Sequence, residues 1–377
     1  MKSLSERNKC FKTLGENVMK ECFLNERHQF LRYSLAFVIC GVALLAMPPT
    51  RALAIGLHTE TIAVQENTVV ISGKVNGATW SLDSDGLLTI DGSTSIPNYD
   101  QNSTYAPWHE YGSQVKKIVL SSGIMSVGNH AFYDCVNLKE IDLGNSVKSI
   151  GKYAFNACLD SLYLPASVTS IDDTANLVTR EGTQVDEKNE AFSNDQCGVL
   201  FDKAKTRLVR APLELSGAYT VPDSVTSIAG KAFYNCEMLT ELSLGNSVTD
   251  VNSNATIRNC KKLEILTIGD EFQDCATLTN LLDANAHLDS LRIINLGSGY
   301  TNLTVYQPKV DFSGLPALQE VNISENNDTF CSVDGVMFSK DKSRLYAFPT
   351  GRTGTYQIPE GTKQIYNKAF SNGHLSE

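Results

Sequence analysis

Apolar and polar residues alternate in short segments of this chain, and the same alternation returns at intervals. In the segment LKEIDL, Leu138, Ile141 and Leu143 are apolar, and the charged Glu140 and Asp142 stand beside them. A period of two predicts a short β-strand whose apolar side chains point inward and whose polar side chains point outward. Three later segments repeat this frame, at Leu239, Leu242 and Leu244, at Leu263, Leu266 and Ile268, and at Leu318, Val321 and Ile323.

A second signal accompanies these strand segments. Ala131-Phe132 and Ala154-Phe155 are 23 residues apart, and each pair is followed at the same interval by a cysteine, Cys135 or Cys158. A fixed period of this length is typical of a solenoid, because one short unit cannot bury its apolar face without stacking on its neighbours. We therefore predict a β-rich solenoid of short parallel strands with an irregular or short-helical outer side.

Two features depart from regular repetition. The segment ATLTNLLDANAHL, residues 276–288, has apolar residues at helical intervals, which predicts a helix on the outer side and assigns Cys275 to the same insertion. A longer duplication aligns Gly198–Phe233 with Gly335–Phe370, and each copy predicts two short strands around an Asp or Lys turn. After Phe370 only SNGHLSE follows, so we expect the last repeat to be incomplete.

The region before the repeats, residues 55–112, is predicted to be a small β module. Its segment ATWSLDSDGLLTIDG predicts a hairpin, because Asp85-Gly86 supplies the positive φ that a tight turn requires. Four aromatic residues follow, and we interpret them as a cap over the open end of the solenoid. A platform for stacking carbohydrate is the alternative. The four residues are Tyr99, Tyr105, Trp108 and Tyr111.

The N-terminus has the order of segments of a secretory signal peptide. Arg27 and Arg32 precede an apolar run from Tyr33 to Met47, and Ala52-Leu53-Ala54 follows, so we predict a signal peptide over residues 1–54. The run is shorter than the roughly 20 residues that cross a bilayer, which makes a retained membrane anchor the weaker alternative. We expect no membrane span after cleavage.

Cleavage would leave an odd number of cysteines, which does not fit a complete disulfide framework. Four of them follow the repeat, and we interpret these as one structural column of buried thiols, with occasional pairing between coils as the alternative. No C-x-x-C spacing or nearby histidine indicates a metal site. The column is Cys135, Cys158, Cys236 and Cys260.

The unit L-x-x-I-x-L followed by S-V-x-S-I-G-x-x-A-F-x-x-C resembles the BspA-like class of leucine-rich repeats, over about residues 113–370. That class occurs in secreted and surface proteins of bacteria and some protists. The module before it resembles the N-terminal β module of surface proteins from gut Firmicutes. The resemblance implies a leucine-rich repeat domain over residues 113–377, a secreted or cell-surface location, and adhesion to host matrix, mucin or other cells.

Composition and motifs narrow the function. The net charge is −10, with 42 acidic against 32 basic residues, which argues against nucleic-acid binding. No H-E-x-x-H, G-x-S-x-G or phosphate-binding loop motif is present, and the histidines after the signal are isolated, so we expect neither catalysis nor a cofactor.

A binding surface is instead predicted from the outward strand positions, which we call the sheet face. An extracellular protein or glycan is the expected ligand. For any one residue, the alternative is that it only solvates the sheet and binds nothing. For the whole chain, the alternative is a structural spacer or an accessory region of a larger surface protein or secreted enzyme. The sheet face comprises Glu140, Asp142, Ser161, Tyr163, Glu241, Ser243, Thr267, Asn295, Glu320 and Asn322.

Overall fold

The computed structural model describes residues 68–100, 102–251, 256–273, 278, 282, 286–301, 312, 314–367, 369–370 and 374–375. They belong to one compact unit, Glu66–Glu377. The predicted signal peptide and Cys275 lie outside the described residues, as does most of the predicted helix over 276–288. Within that segment the Leu282 amide donates to the Leu278 carbonyl at 3.1 Å, which is the spacing of one α-helical turn.

The described residues form short β-strands and a 3₁₀ helix, His109–Gln114. The first ten strands are β1 (Val69–Val75), β2 (Ala78–Asp83), β3 (Leu87–Asp91), β4 (Lys117–Leu120), β5 (Ser126–Val127), β6 (Glu140–Asp142), β7 (Ser149–Ile150), β8 (Cys158–Leu164), β9 (Ser170–Ile171) and β10 (Val178–Val185). The next ten are β11 (Phe192–Asn194), β12 (Leu200–Asp202), β13 (Arg207–Arg210), β14 (Gly217–Thr220), β15 (Ser227–Ile228), β16 (Leu239–Ser243), β17 (Asp250–Val251), β18 (Ile265–Ile268), β19 (Ile293–Leu296) and β20 (Glu320–Ile323). The others are β21 (Phe330–Val333), β22 (Val336–Ser339), β23 (Arg344–Ala347), β24 (Thr353–Gly354), β25 (Gln364–Ile365) and β26 (His374–Leu375).

Parallel pairing stacks the coils into a solenoid. On the principal sheet, β3, β4 and β6 pair in parallel, β8 pairs in parallel with β10, and β14, β16, β18, β19 and β20 form a continuous parallel ladder. A second, narrower ladder joins β5, β7 and β9, and another joins β13, β15 and β17. The predicted β-rich leucine-rich repeat solenoid is confirmed.

The alternation within each strand decides which side chains fill the solenoid. Leu138, Ile141 and Leu143 are buried, whereas Glu140 and Asp142 are exposed. Each buried leucine or isoleucine contributes roughly 1.5–3 kcal/mol relative to an exposed one. Glycine follows several of these strands, because a Cβ at Gly269 would collide with the Gly245 carbonyl of the preceding coil and one at Gly297 with that of Gly269.

The N-terminal module begins as an antiparallel hairpin and continues directly into the solenoid. β2 and β3 pair as predicted, and the Asp83 carboxylate stabilises their turn by accepting the Asp85 and Leu87 amides at 2.9 and 2.8 Å. β3 then pairs in parallel with β4, so the first coil extends the same sheet. The hairpin therefore covers the sheet edge of the first coil.

The aromatic residues after the hairpin divide into packed and exposed members. Trp108 is buried, its indole nitrogen donates to the Ala131 carbonyl at 2.9 Å, and its ring stacks on Phe132 with centroids 5.5 Å apart. Tyr99 and Tyr111 are partly buried against the same core. Tyr105 is 47% exposed. Three of the four residues predicted as a cap thus pack on the core.

The duplicated blocks form two equivalent units of three antiparallel strands, which we call the hairpin partitions. The first is β11–β12–β13 and the second is β21–β22–β23, and each is antiparallel. Phe201 pairs with Leu208 in the first, and Phe338 pairs with Leu345 at the aligned positions of the second. Both hairpins then pair in parallel with the next short strand, β15 or β25. The sequence duplication is therefore also a structural one.

The hairpin partitions separate the described buried side chains into three clusters. We number the clusters in chain order from the N-terminus. Successive residues of β12 face different cores, because Leu200 packs in the first cluster and Phe201 in the second. In β22, Met337 packs in the second cluster and Phe338 in the third. A strand with both faces buried crosses the interior of the solenoid at each of these points.

Each hairpin partition is anchored by a buried asparagine. The Asn189 amide donates to the carbonyls of Pro165 and Val168 at 2.8 and 2.9 Å, and its oxygen accepts the Ala191 and Phe192 amides. Asn327 occupies the same position in the second partition, where it donates to Tyr300 at 2.8 Å and accepts from the Phe330 amide at 2.7 Å. Both side chains satisfy backbone groups that the incoming chain would otherwise bury unpaired.

Candidate ligand-binding sheet face

The N-terminal half of the sheet face is charged and carries an exposed aromatic ring. Glu140 and Asp142 lie on β6, where Glu140 pairs with Lys117 of β4 at 2.7 Å. Ser161 and Tyr163 lie on β8, which continues the ladder through a hydrogen bond from the Asp160 amide to the Lys139 carbonyl at 2.9 Å. All four predicted residues are exposed.

Tyr163 is the largest side chain among the predicted sheet-face residues. It is 43% exposed, and its hydroxyl donates to the Asp186 carboxylate at 2.6 Å. This hydrogen bond, together with one from the Lys188 amide, lowers the pKa of Asp186 below its ordinary value. The bond fixes the end of the Tyr163 ring while leaving much of its surface open to solvent.

The C-terminal half of the sheet face carries a ladder of hydroxyl and amide groups. Ser243, Thr267, Asn295 and Asn322 stand in register on β16, β18, β19 and β20. The Asn295 amide donates to the Thr267 hydroxyl at 3.0 Å, and the Asn322 amide donates to the Asn295 oxygen at 3.2 Å. Glu241 and Glu320 share the neighbouring register column with Ile265 and Ile293. Thr267, Asn295 and Asn322 therefore bond to one another along the sheet.

A polar cleft of about 430 Å³ lies where β20 meets the second hairpin partition. Glu320 borders it together with Gln319, Asp334 and Arg352. Arg352 donates to the Asp334 carboxylate at 2.9 Å, and its guanidinium lies over the rings of Phe348 and Tyr356 at 5.7 and 5.4 Å from their centroids. Arg352 was not among the residues predicted from the sequence. An alignment of the two duplicated blocks could have indicated it, because the first block has Leu215 at this position.

Three of the four column cysteines are buried as the repeat requires. Cys135, Cys236 and Cys260 are fully buried and carry free thiols. Burial raises the pKa of Cys135 and of Cys260 to about 12, and it also raises that of Cys236. These thiols are therefore poor nucleophiles at neutral pH.

The assignment of Cys158 to this column is wrong. Cys158 is the first residue of β8 and is only half-buried, because its coil reaches the strand two residues early. The hydrogen bond from the Asp160 amide to the Lys139 carbonyl aligns β8 with β6, so Leu162 takes the inward position that Ile141 holds one coil earlier. Strand register, rather than distance from Ala-Phe, fixes the position of this cysteine.

In the described part of the chain, no group of three or more His, Cys, Asp or Glu side chains is arranged to hold a metal ion. A search of the same residues also finds no helix with the length and apolar character of a membrane span.

The repeat geometry agrees with a sequence match. BspA-type leucine-rich repeat regions match residues 110–179 and 217–343, in six copies that span more than half of the chain. The chain belongs to the BspA-type leucine-rich repeat family. The gap between the matched ranges contains the first hairpin partition, whereas most of the second lies within the second range.

Several solved structures are similar to this BspA-type chain. A leucine-rich repeat protein from Eubacterium ventriosum is 19% identical, with 81% of this chain and 96% of that chain covered and a TM-score of 0.45. The pneumococcal vaccine antigen PcpA is 17% identical, with 81% and 98% covered and a TM-score of 0.42. A leucine-rich cell surface protein from Faecalibacterium prausnitzii is 17% identical, with 67% and 95% covered and a TM-score of 0.34. No curated protein sequence matches the chain.

Proposed function

We propose that this chain is an exported, non-catalytic recognition module at the cell surface, and that its sheet face binds an extracellular protein or glycan. Membership of the BspA-type family supports the proposal. A broad, open sheet suits a macromolecular ligand, whereas catalysis usually takes place in a deeper pocket.

Tyr163 is the observation that carries this proposal. Its ring is 43% exposed, it stands between Asp142 and Gln184 on the sheet, and Asp186 holds its hydroxyl. Large aromatic side chains that are already fixed in place are typical anchors of binding surfaces, because they bury much area at a small entropic cost. We therefore place the main contact in the N-terminal half of the sheet face.

Retention of the purified chain on immobilised matrix proteins and mucin tests the proposal. Tyr163→Ala should weaken binding of a captured ligand by about 10- to 30-fold, as expected for a hot-spot tyrosine. Charge reversal at Glu140, Asp142 and Glu241 should weaken it further, whereas Glu360→Lys, an exposed acidic residue outside the sheet face, should leave it unchanged. Unaltered binding by every sheet-face variant would exclude this surface.

The hydroxyl and amide ladder favours a second candidate function, a structural spacer. Asn295 and Asn322 already bond to neighbours on the sheet, so a ligand would have to replace those bonds. A spacer predicts that no immobilised ligand retains the natural chain.

A further inference from the structure

A group of aromatic and imidazole rings lies on the surface of the first two coils, apart from the sheet face. We call Tyr105, His109, His130, Tyr133 and Tyr153 the outer aromatic patch. Tyr105 stacks on His109 with centroids 4.2 Å apart, and His130 contacts Tyr133 at 5.5 Å and Tyr153 at 5.3 Å. Tyr105 is 47% exposed and Tyr153 is 36% exposed.

A second, buried set of rings holds the same coils together. Trp108, Phe132 and Phe155 stack in series, with centroids 5.5 and 5.7 Å apart, and all three are buried. Because this internal column fills the core, the solenoid does not need the exposed rings of Tyr105 and Tyr153 for its packing.

The backbone beneath the patch takes a left-handed conformation that recurs from coil to coil. His130 has a φ of 55° and Tyr153 a φ of 50°, in the left-handed region, which histidine tolerates and tyrosine seldom adopts. The next coil places Asn176 at the same position with a φ of 57°, and asparagine tolerates this region. Lys231 takes the same conformation at the equivalent position of a later coil, with a φ of 60°, so the left-handed turn belongs to the repeat. The two rings are therefore a feature of the first two coils, which the turn itself does not demand.

Neighbouring groups hold several of the patch rings in fixed orientations. His109 bonds to the Asp134 carboxylate at 2.7 Å, and this aspartate directly follows Tyr133. A ring nitrogen of His130 lies 3.1 Å from the Tyr99 carbonyl, and the Lys152 ammonium lies 5.2 Å from the centroid of the Tyr153 ring. Preordered rings lose little freedom when they bind, which favours a ligand that stacks on them.

We propose that the outer aromatic patch binds a neutral oligosaccharide. A pyranose ring offers a face of C–H groups that stacks on tyrosine, while tyrosine hydroxyls, imidazole nitrogens and Asp134 match its hydroxyl groups. Lys152 and Asp134 have opposite charges, so the patch does not select a strongly charged ligand. A stable protein partner would need about 800 Å² on this side, far more than five side chains on two coils supply.

This site rests on the recognition role proposed above but lies on a different surface, so an experiment can contradict either proposal without contradicting the other. The probes are chitotetraose, cellotetraose and lacto-N-tetraose, titrated into the purified full chain and followed by saturation-transfer NMR and calorimetry. Tyr153→Asn removes the ring but places at this position the residue type that the next coil already carries. Tyr105→Ala removes the second exposed ring, and Tyr163→Ala is the matched control on the sheet face.

We expect at least one probe to bind, Tyr153→Asn and Tyr105→Ala each to weaken its binding at least tenfold, and Tyr163→Ala to leave it unchanged. Tyr153→Asn should also keep or raise the melting temperature, because it relieves backbone strain. A lower melting temperature would show that the ring is structural and would overturn the proposal. So would the absence of binding by any probe, unchanged binding in both patch variants, or loss of binding only in Tyr163→Ala.

Discussion

The two hairpin partitions agree where they enter the core and differ where they reach the sheet face. Both cross the interior with a strand buried on both faces, and both rest on a buried asparagine, Asn189 or Asn327. Beside the first partition, Arg180 of β10 forms an ion pair with Glu214 at 2.7 Å. In the second, Gly351 replaces the glutamate, and Arg352 reaches Asp334 across the cleft instead.

A pair of aligned tyrosines shows the same divergence. Tyr219 donates to the Asp195 carboxylate at 2.7 Å, whereas the buried hydroxyl of Tyr356 has no hydrogen-bond partner among the described residues. The difference teaches that both copies keep the strand and the asparagine that close the core, while the polar partners around them vary between copies.

Removal of a partition aromatic is expected to have the largest effect. Phe201→Ala and Phe338→Ala each leave a cavity and should lower the free energy of unfolding by about 3–5 kcal/mol. Hydrogen exchange should locate the damage on the C-terminal side of each partition, at β16 and β18 for Phe201→Ala. Leu200→Ala, which faces the first cluster, should instead expose β8 and β10. If Leu200→Ala and Phe201→Ala release the same strands, the partitions do not divide the core.

Replacement of the anchoring asparagines should have the next largest effect, and it should be equal in the two copies. Asn189→Asp and Asn327→Asp each place a carboxylate against backbone carbonyls and should lower the free energy of unfolding by about 3 kcal/mol or more. Urea denaturation measures the loss, with the exposed neighbour Asn326→Asp as the control. Losses that differ by more than about 1 kcal/mol would show that the two anchors are not equivalent.

The smallest expected effects distinguish the two tyrosines. Tyr219→Phe should cost about 1 kcal/mol, because it removes a hydrogen bond, whereas Tyr356→Phe should cost close to nothing. Burial and the Asp195 carboxylate raise the pKa of Tyr219 above its ordinary value of 10.0. Its contribution is therefore complete below pH 10 and is lost as the pH rises above that value. Raising the pH above 10.0 should therefore lower the free energy of unfolding of Tyr219→Phe less than that of the natural chain. Equal losses in the two chains would contradict this assignment.

Local alternation was enough to predict the inward and outward residues of the regular coils. Leu242 and Leu266 are buried for the same reason as Ile141, since a strand with one wet face can place its apolar residues on only one side. The sequence also revealed the duplication. It did not show that Leu200 and Phe201 face two different cores, because a short apolar run looks the same whether one or both faces of the strand are buried.

Other errors arose from contacts between coils. Cys158 departs from its column because hydrogen bonds to the preceding coil fix the register of β8, and counting residues within one coil cannot detect this. Arg352 is brought against Asp334 by the fold of the second partition, across 18 positions of sequence. The predicted sheet-face residues lie on the expected strands, but their role in binding stays a prediction.

The hairpin partitions also have a mechanical consequence. A solenoid pulled from its ends loses coils one after another, because each coil contacts mainly its neighbours. A strand with both faces buried, such as β12, should interrupt this unravelling, because it must separate from two cores at once. Under a pulling force, the chain would therefore yield in separate steps, and the coils between Phe201 and Phe330 would stay folded after an outer compartment had opened.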